Sequence, residues 1–292
     1  MSYAPHDQLV LLARPSRSLW RVIVGFLCLI ALIFALGYGA FEVAYAILPA
    51  DLSWRIYDES EVGDTPFGVA ITLGLFAIAT IALEAVMRLF HRRGVLELLG
   101  DLPQAVRDFI RVMAAFILLS GLLTFLPSPD YGEPVPNLHP GQWLLLLPLM
   151  CVFLFIQISA EELVFRGYLQ SQLAARFTHP AIWIGLPSVL FGLLHWGNAE
   201  TTEGSVAYVL ATTAFGMAAA DLTARTGTLG AALGLHFAVN FYAIFLVAFD
   251  DWAYGYALFV IPLNGTPLEH DPLIELAVIL NIWLAARVAL RR

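Results

Sequence analysis

Eight apolar runs divide this chain, each close to the roughly 20 residues that an α-helix needs to cross a bilayer. They fall near 20–48, 66–90, 105–127, 141–165, 180–197, 205–224, 228–249 and 272–290. Such a pattern leaves few options. In lipid every backbone N–H and C=O must find its partner within the spanning structure, so runs of this length fold as helices. The expected fold is all-α: a polytopic membrane protein of about eight transmembrane helices. Of the 292 residues, 60% are hydrophobic and 13% charged, which is too little polar surface for a soluble chain of this size. The stretch "AYGYALFVIPL" at 253–263 is too short to span and reads as interfacial or re-entrant.

Charge sorts the connections. Arg14, Arg17 and Arg21 precede the first run, and Arg88, Arg92, Arg93, Arg107 and Arg111 surround the second connection. Arg176, Arg225, Arg287, Arg291 and Arg292 lie at later ends on the same side. The alternate connections, "DLSWRIYDESEVGD", "SPDYGEPVPNLHP", "NAETTEG" and "FDDW", are acidic and nearly free of arginine. The positive-inside rule then places both termini in the cytoplasm, with the cell (inner) membrane as the location. The first run is longer than a signal-peptide core and reads as a signal anchor. A net charge of -8 and the lack of a basic, aromatic-interleaved patch exclude nucleic acid as a partner. Cys28 and Cys151 sit singly in apolar runs and read as small hydrophobes.

Within the runs, some charges have an ordinary explanation. Glu84 and Arg88 are four apart, as are Asp221 and Arg225, so each carboxylate has a partner on its own helix face. Glu42 and Glu275 lie toward the outer ends, within reach of water. The segment "LFIQISAEELVFRGYLQ" is different. Glu162 and Arg166 neutralise one another at i,i+4, but Glu161 is about 100° further round and has no partner on its own helix. Either it completes a buried ionic lock between helices or it accepts protons in a reaction. His195 in "FGLLHW", and His236 with Asn240 one turn apart in "LHFAVNF", add polar groups that a bilayer tolerates best around a wet cavity. Counting residues from the turns puts Glu161 and His195 at one depth. His236 joins them if the hairpin of runs four and five projects some 10 Å beyond that of runs six and seven. Gly230, Gly234 and Gly192 are small residues that would draw the two histidines together.

These three motifs, "EELVFR", "FGLLH" and "HFAVN", resemble the EExxxR, FxxxH and HxxxN motifs of the CPBP family, the CAAX prenyl protease and bacteriocin-processing group of Rce1-like intramembrane proteases. The resemblance covers roughly 143–249. It implies an eight-helix intramembrane endopeptidase acting on membrane-bound peptides or proteins, including CAAX-type prenylated ones. It divides the chain into a first unit of helices one to three (1–140), a catalytic core of helices four to seven (141–250), and an interfacial segment with the last helix (251–292). It also implies site roles: Glu161 as the base that activates water, His195 helping to position it, His236 and Asn240 as the oxyanion-stabilising pair, and Glu162 with Arg166 holding the motif helix. No cofactor is the favoured expectation. Zinc on Glu161, His195 and His236 is the alternative, although no HExxH is present and Asn240 is a poor ligand. Two other readings compete: a proton-coupled transporter using Glu161, His195 and His236 as a relay, and a non-catalytic immunity or scaffold protein of the same family. Carriers typically show inverted repeats or paired broken helices, and neither is evident here.

Overall fold

The computed structural model describes residues 2–123, 125, 132–199, 201–264, 268 and 271–291. The end of the run expected at 105–127, part of the connection 128–140, Glu200 and Arg292 lie outside the described residues. The helices are α1 Asp7–Ala13, α2 Leu19–Ile47, α3 Ala50–Val62, α4 Pro66–His91 and α5 Leu102–Leu123. They continue as α6 Pro140–Ala174, α7 Ala181–Leu193, α8 Thr202–Thr226, α9 Gly230–Leu246 and α10 Pro272–Ala289. Each expected run is helical, and the protein is an all-α membrane protein. Five helices, α2, α4, α6, α8 and α10, are long and apolar enough to cross a bilayer. The other three have physical reasons to fall short. The first half of α5 carries Arg107, Asp108 and Arg111. Residues beyond α7 turn away at His195. Helix α9 is buried along most of its first eleven residues, so it is wrapped by protein and need not meet lipid.

Helix starts are written locally. Thr65, His139 and Asp271 each accept a backbone N–H at the head of α4, α6 and α10, and a proline follows each of them. Thr201 caps α8 in the same way, and Gly227, with φ 74°, ends it in the left-handed conformation glycine adopts freely.

Two expectations are corrected. The acidic connection after α2 is itself a helix, α3, with Arg55 paired to Glu59 one turn on and Trp54 and Tyr57 exposed. Residues 253–263 do not re-enter as a helix. They carry β3 Phe259–Ile261, the centre of a small sheet with β1 Val135–Pro136 antiparallel and β2 Val247–Phe249 parallel to it. Backbone amides that leave a helix end need partners, and this sheet supplies them where α9 stops. It also pins α6 to α9: Trp143 Nε1 donates to Phe245 O at 2.9 Å, and Tyr256 OH donates to Trp143 O at 2.6 Å.

At the opposite end, residues 3–16 lie across the bundle. Val10 and Ala13 pack on Ala175, the His6 ring lies 4.9 Å from that of Trp183, and Tyr3 OH donates to Asp221 at 2.8 Å. A buried cluster joins Ser16, His91 and Gln172, with His91 Nδ1 2.9 Å from Ser16 Oγ and 3.1 Å from Gln172 Nε2. The first residues and the end of α10 thus share one end of the bundle.

Candidate active site

Polar groups buried in a helical bundle must be paired across helices or within them, and the pairing here draws the site. On α6, Gln157 and Glu161 are one turn apart; on α9, His236 and Asn240 are one turn apart. Glu161 Oε2 lies 3.4 Å from His236 Nε2, and Asn240 Nδ2 donates to Gln157 Oε1 at 3.0 Å. The two contacts form rungs of an antiparallel ladder about 6 Å apart.

The neighbouring carboxylate does different work. Glu162 Oε1 accepts from Arg166 Nη1 at 3.0 Å and from His236 Nδ1 at 2.7 Å. An ionised carboxylate only accepts, so Nδ1 carries the ring hydrogen on that side and Nε2 is the atom turned to Glu161. Glu162 is fully buried, whereas the Glu161 side chain is 17% exposed. The 100° step between adjacent helix positions thus separates an enclosed glutamate from a reachable one. The Arg166 guanidinium lies over the Phe191 ring at 4.5 Å, and the His236 ring is 5.1 Å from that of Phe215, so aromatic walls close the apolar side.

Both motif helices change winding just past these residues. The α geometry of α6 gives way to π turns over Leu163–Gln170, and that of α9 over Phe241–Leu246. Single π turns inside α-helices cluster at functional sites because they re-aim side chains without breaking the helix.

His195 stands apart from this direct contact. Its Nδ1 donates to Phe191 O at 2.8 Å, which leaves Nε2 of the neutral ring as an acceptor. The Phe191 ring is the intermediary, 4.7 Å from the His195 ring and 6.2 Å from that of His236, while Tyr208 stacks on the other side at 6.0 Å. The structure therefore joins Glu161, Glu162, Arg166 and His236 directly, and holds Asn240 through Gln157. Among the described residues, no three His, Cys, Asp or Glu side chains are grouped as a metal ion requires. Glu161 and His236 Nε2 make two donors of the three that a catalytic zinc takes, so this geometry does not fit the zinc alternative.

Gln157 was not among the sequence candidates, although its signal was present: one polar residue in an apolar run, one turn before Glu161. The glycines are corrected. Gly230 and Gly234 abut the backbone of Ala105 and Phe109 on α5, and Gly192 abuts Val209 and Thr213 on α8. They fit α9 and α7 to those neighbours instead of drawing His195 to His236.

Residues 142–242 match the family described as "Type II CAAX prenyl endopeptidase Rce1-like". A Bacillus subtilis (strain 168) protein described as uncharacterized protein YyaK is 24% identical over 249 residues, spanning 82% of this chain and 82% of its own length. No solved structure matches the chain. The family is one of CAAX-type proteases, and the matched segment contains both rungs of the ladder, the glutamate–arginine pair and His195. Through residues 142–242, this chain belongs to the Rce1-like family of type II CAAX prenyl endopeptidases.

Proposed function

We propose that the protein hydrolyses peptide bonds of membrane-associated proteins or peptides, CAAX-type prenylated tails among them, by a water that Glu161 deprotonates. The observation that carries this reading is the reachable Glu161 carboxylate facing a histidine whose other nitrogen is fixed by a buried acid. Peptide hydrolysis needs a proton acceptor for water and donors for the oxyanion that develops on the carbonyl oxygen. Glu161 takes the proton as the water oxygen bonds to the carbonyl carbon. His236 Nε2–H and the amide hydrogen of Asn240 not given to Gln157 stabilise the oxyanion. Protonated Glu161 then returns its proton to the leaving amide nitrogen as the C–N bond breaks. His195 Nε2 orients the water. Glu162 and Arg166 set the angle of His236, and Gln157 that of Asn240. No step here passes through a metal.

The arginine-rich ends of the chain support cytoplasmic termini in the cell membrane, with the site reached from that side. The decisive experiment is cleavage of a membrane-anchored substrate by wild type, Glu161→Gln and His195→Ala, at equal expression and with and without a strong chelator. Loss of cleavage of at least about 100-fold in Glu161→Gln is expected, with chelation having no effect. Undiminished cleavage in Glu161→Gln would remove the proposed base. Stoichiometric zinc lost together with activity would transfer the chemistry to a metal. Solute or proton flux that falls in both variants, with no cleavage by wild type, would favour a carrier.

A further inference from the structure

Where the first and last residues meet, a cavity of ≈ 330 Å³ opens between the N-terminal segment and the ends of α5, α8 and α10. Its lining is rich in donors: the guanidiniums of Arg225 and Arg287, the carboxamides of Gln8 and Gln104, and the hydroxyl of Thr226. No carboxylate lines it among the described residues.

The two arginines differ in what balances them. Arg225 holds both oxygens of Asp221 at 2.8 Å. Asp221 also accepts from Tyr3 OH at 2.8 Å and from Trp283 Nε1 at 3.0 Å, so its acceptor capacity is spent. Arg287 lies over the Trp283 ring at 4.9 Å and has no carboxylate partner among the described residues. The cavity therefore carries surplus positive charge, and it is only partly open to water. An anion from outside the chain is the natural complement, and a guanidinium fork suits phosphate oxygens.

The surroundings say which anion. Arg287 is near the last turn of a helix long and apolar enough to cross a bilayer, and Leu280, Leu284 and Val288 form an exposed apolar stripe that runs up to it. On α5, Val106 and Ile110 are likewise exposed. A soluble phosphate would use the donors alone, whereas a phospholipid uses the donors and the stripe together. Basic pockets between helix ends at the membrane surface are where anionic headgroups bind. We propose that this cavity seats the phosphate headgroup of an anionic phospholipid, with its acyl chains along the outward stripe of α10. Because Gln8 is part of the wall, the bound headgroup ties the N-terminal segment to α8 and α10.

The test uses the full chain purified in neutral detergent, with phosphatidylglycerol, phosphatidylcholine or inorganic phosphate added at matched concentration. Retained lipid is read by native mass spectrometry and stability by thermal unfolding. Phosphatidylglycerol should be retained and raise Tm, while the other two should not. Arg287→Gln should weaken retention about fivefold, and Gln8→Leu, from the opposite wall, should weaken it as well. Arg291→Gln, at the exposed chain end, should leave it unchanged. Equal losses in Arg287→Gln and Arg291→Gln would mean diffuse surface attraction and overturn the site. A Tm rise with phosphate alone would replace the lipid with a soluble anion. Undiminished retention in both cavity variants would also reject the proposal.

Discussion

Two acid–arginine pairs, each four residues apart on one helix, are used in opposite ways in this bundle. Asp221–Arg225 is a closed knot: both carboxylate oxygens are taken, by Arg225, Tyr3 and Trp283 from three parts of the chain. Glu162–Arg166 is more deeply buried, with side chains 0% and 1% exposed against 10% and 16%, yet it is less complete. Glu162 Oε2 and Arg166 Nη2 have no hydrogen-bond partner among the described residues, and the one shared oxygen of Glu162 also receives His236. The first arrangement spends its hydrogen-bonding capacity on architecture. The second spends it on aiming an imidazole, which is what distinguishes a site from a fastening when both look alike as i,i+4 pairs.

Substitution should separate the two pairs. The largest effect is expected from Glu162→Gln, which leaves the enclosed Arg166 charge uncompensated; a loss of about 3–5 kcal/mol should appear as a lowered midpoint in detergent unfolding. If Asp221→Asn costs as much, the contrast fails, because its more exposed pair should lose only about 1 kcal/mol. Next comes Asn240→Ala, expected to cut kcat about 100-fold with KM and Tm little changed, as befits an oxyanion donor. Gln157→Leu should produce a smaller loss of kcat, of about tenfold by partial misplacement of Asn240; a purely packing role for Gln157 would lower Tm and leave kcat alone.

The smallest effect belongs to the closed end. Burial of His6 beside Trp183 lowers its pKa to about 4. A neutral buried imidazole contributes stability that is complete above the ordinary value of about 6.5 and is lost as pH falls through the folded value. Hydrogen exchange should show residues 3–16 protected at pH 7 and progressively released between about pH 6.5 and 4. His6→Phe should abolish that pH dependence while leaving Glu162 and its partners unaffected.

Much of this fold was legible because its elements are long. Every apolar run became a helix, and the pairs Glu84–Arg88 and Asp221–Arg225 follow from four-residue spacing alone. The strands were not legible: a segment of three residues, such as Phe259–Ile261, carries no period, and its partners are more than a hundred and about a dozen residues away. Helix α3 was hidden by its polar composition, since it lies outside the hydropathy signal that marks a span. In the site, spacing located Glu161, His236 and Asn240 on their faces but could not name their partners. A GxxxG sequence announces a close approach without saying to what, so Gly230 and Gly234 pointed to His195 when their neighbour is α5. The overhang expected between the two hairpins reappears in residue numbers: α6 runs on to Ala174 past Glu161, roughly seven residues further than α9 extends back to Gly230 from His236, which is about 10 Å.

The wide turns over Leu163–Gln170 make the length of this segment more critical than its composition. Each wide turn holds one residue more than ordinary winding does, so deleting a single residue would let the coil tighten and swing everything downstream by about 100°. Gln170, which donates to Ala220 O at 3.0 Å, and Gln172, which reaches Ser16 and His91, would rotate out of register while Glu161 stayed in place. Conservative exchanges along these eight positions are therefore survivable where a frame-preserving loss of one codon is not.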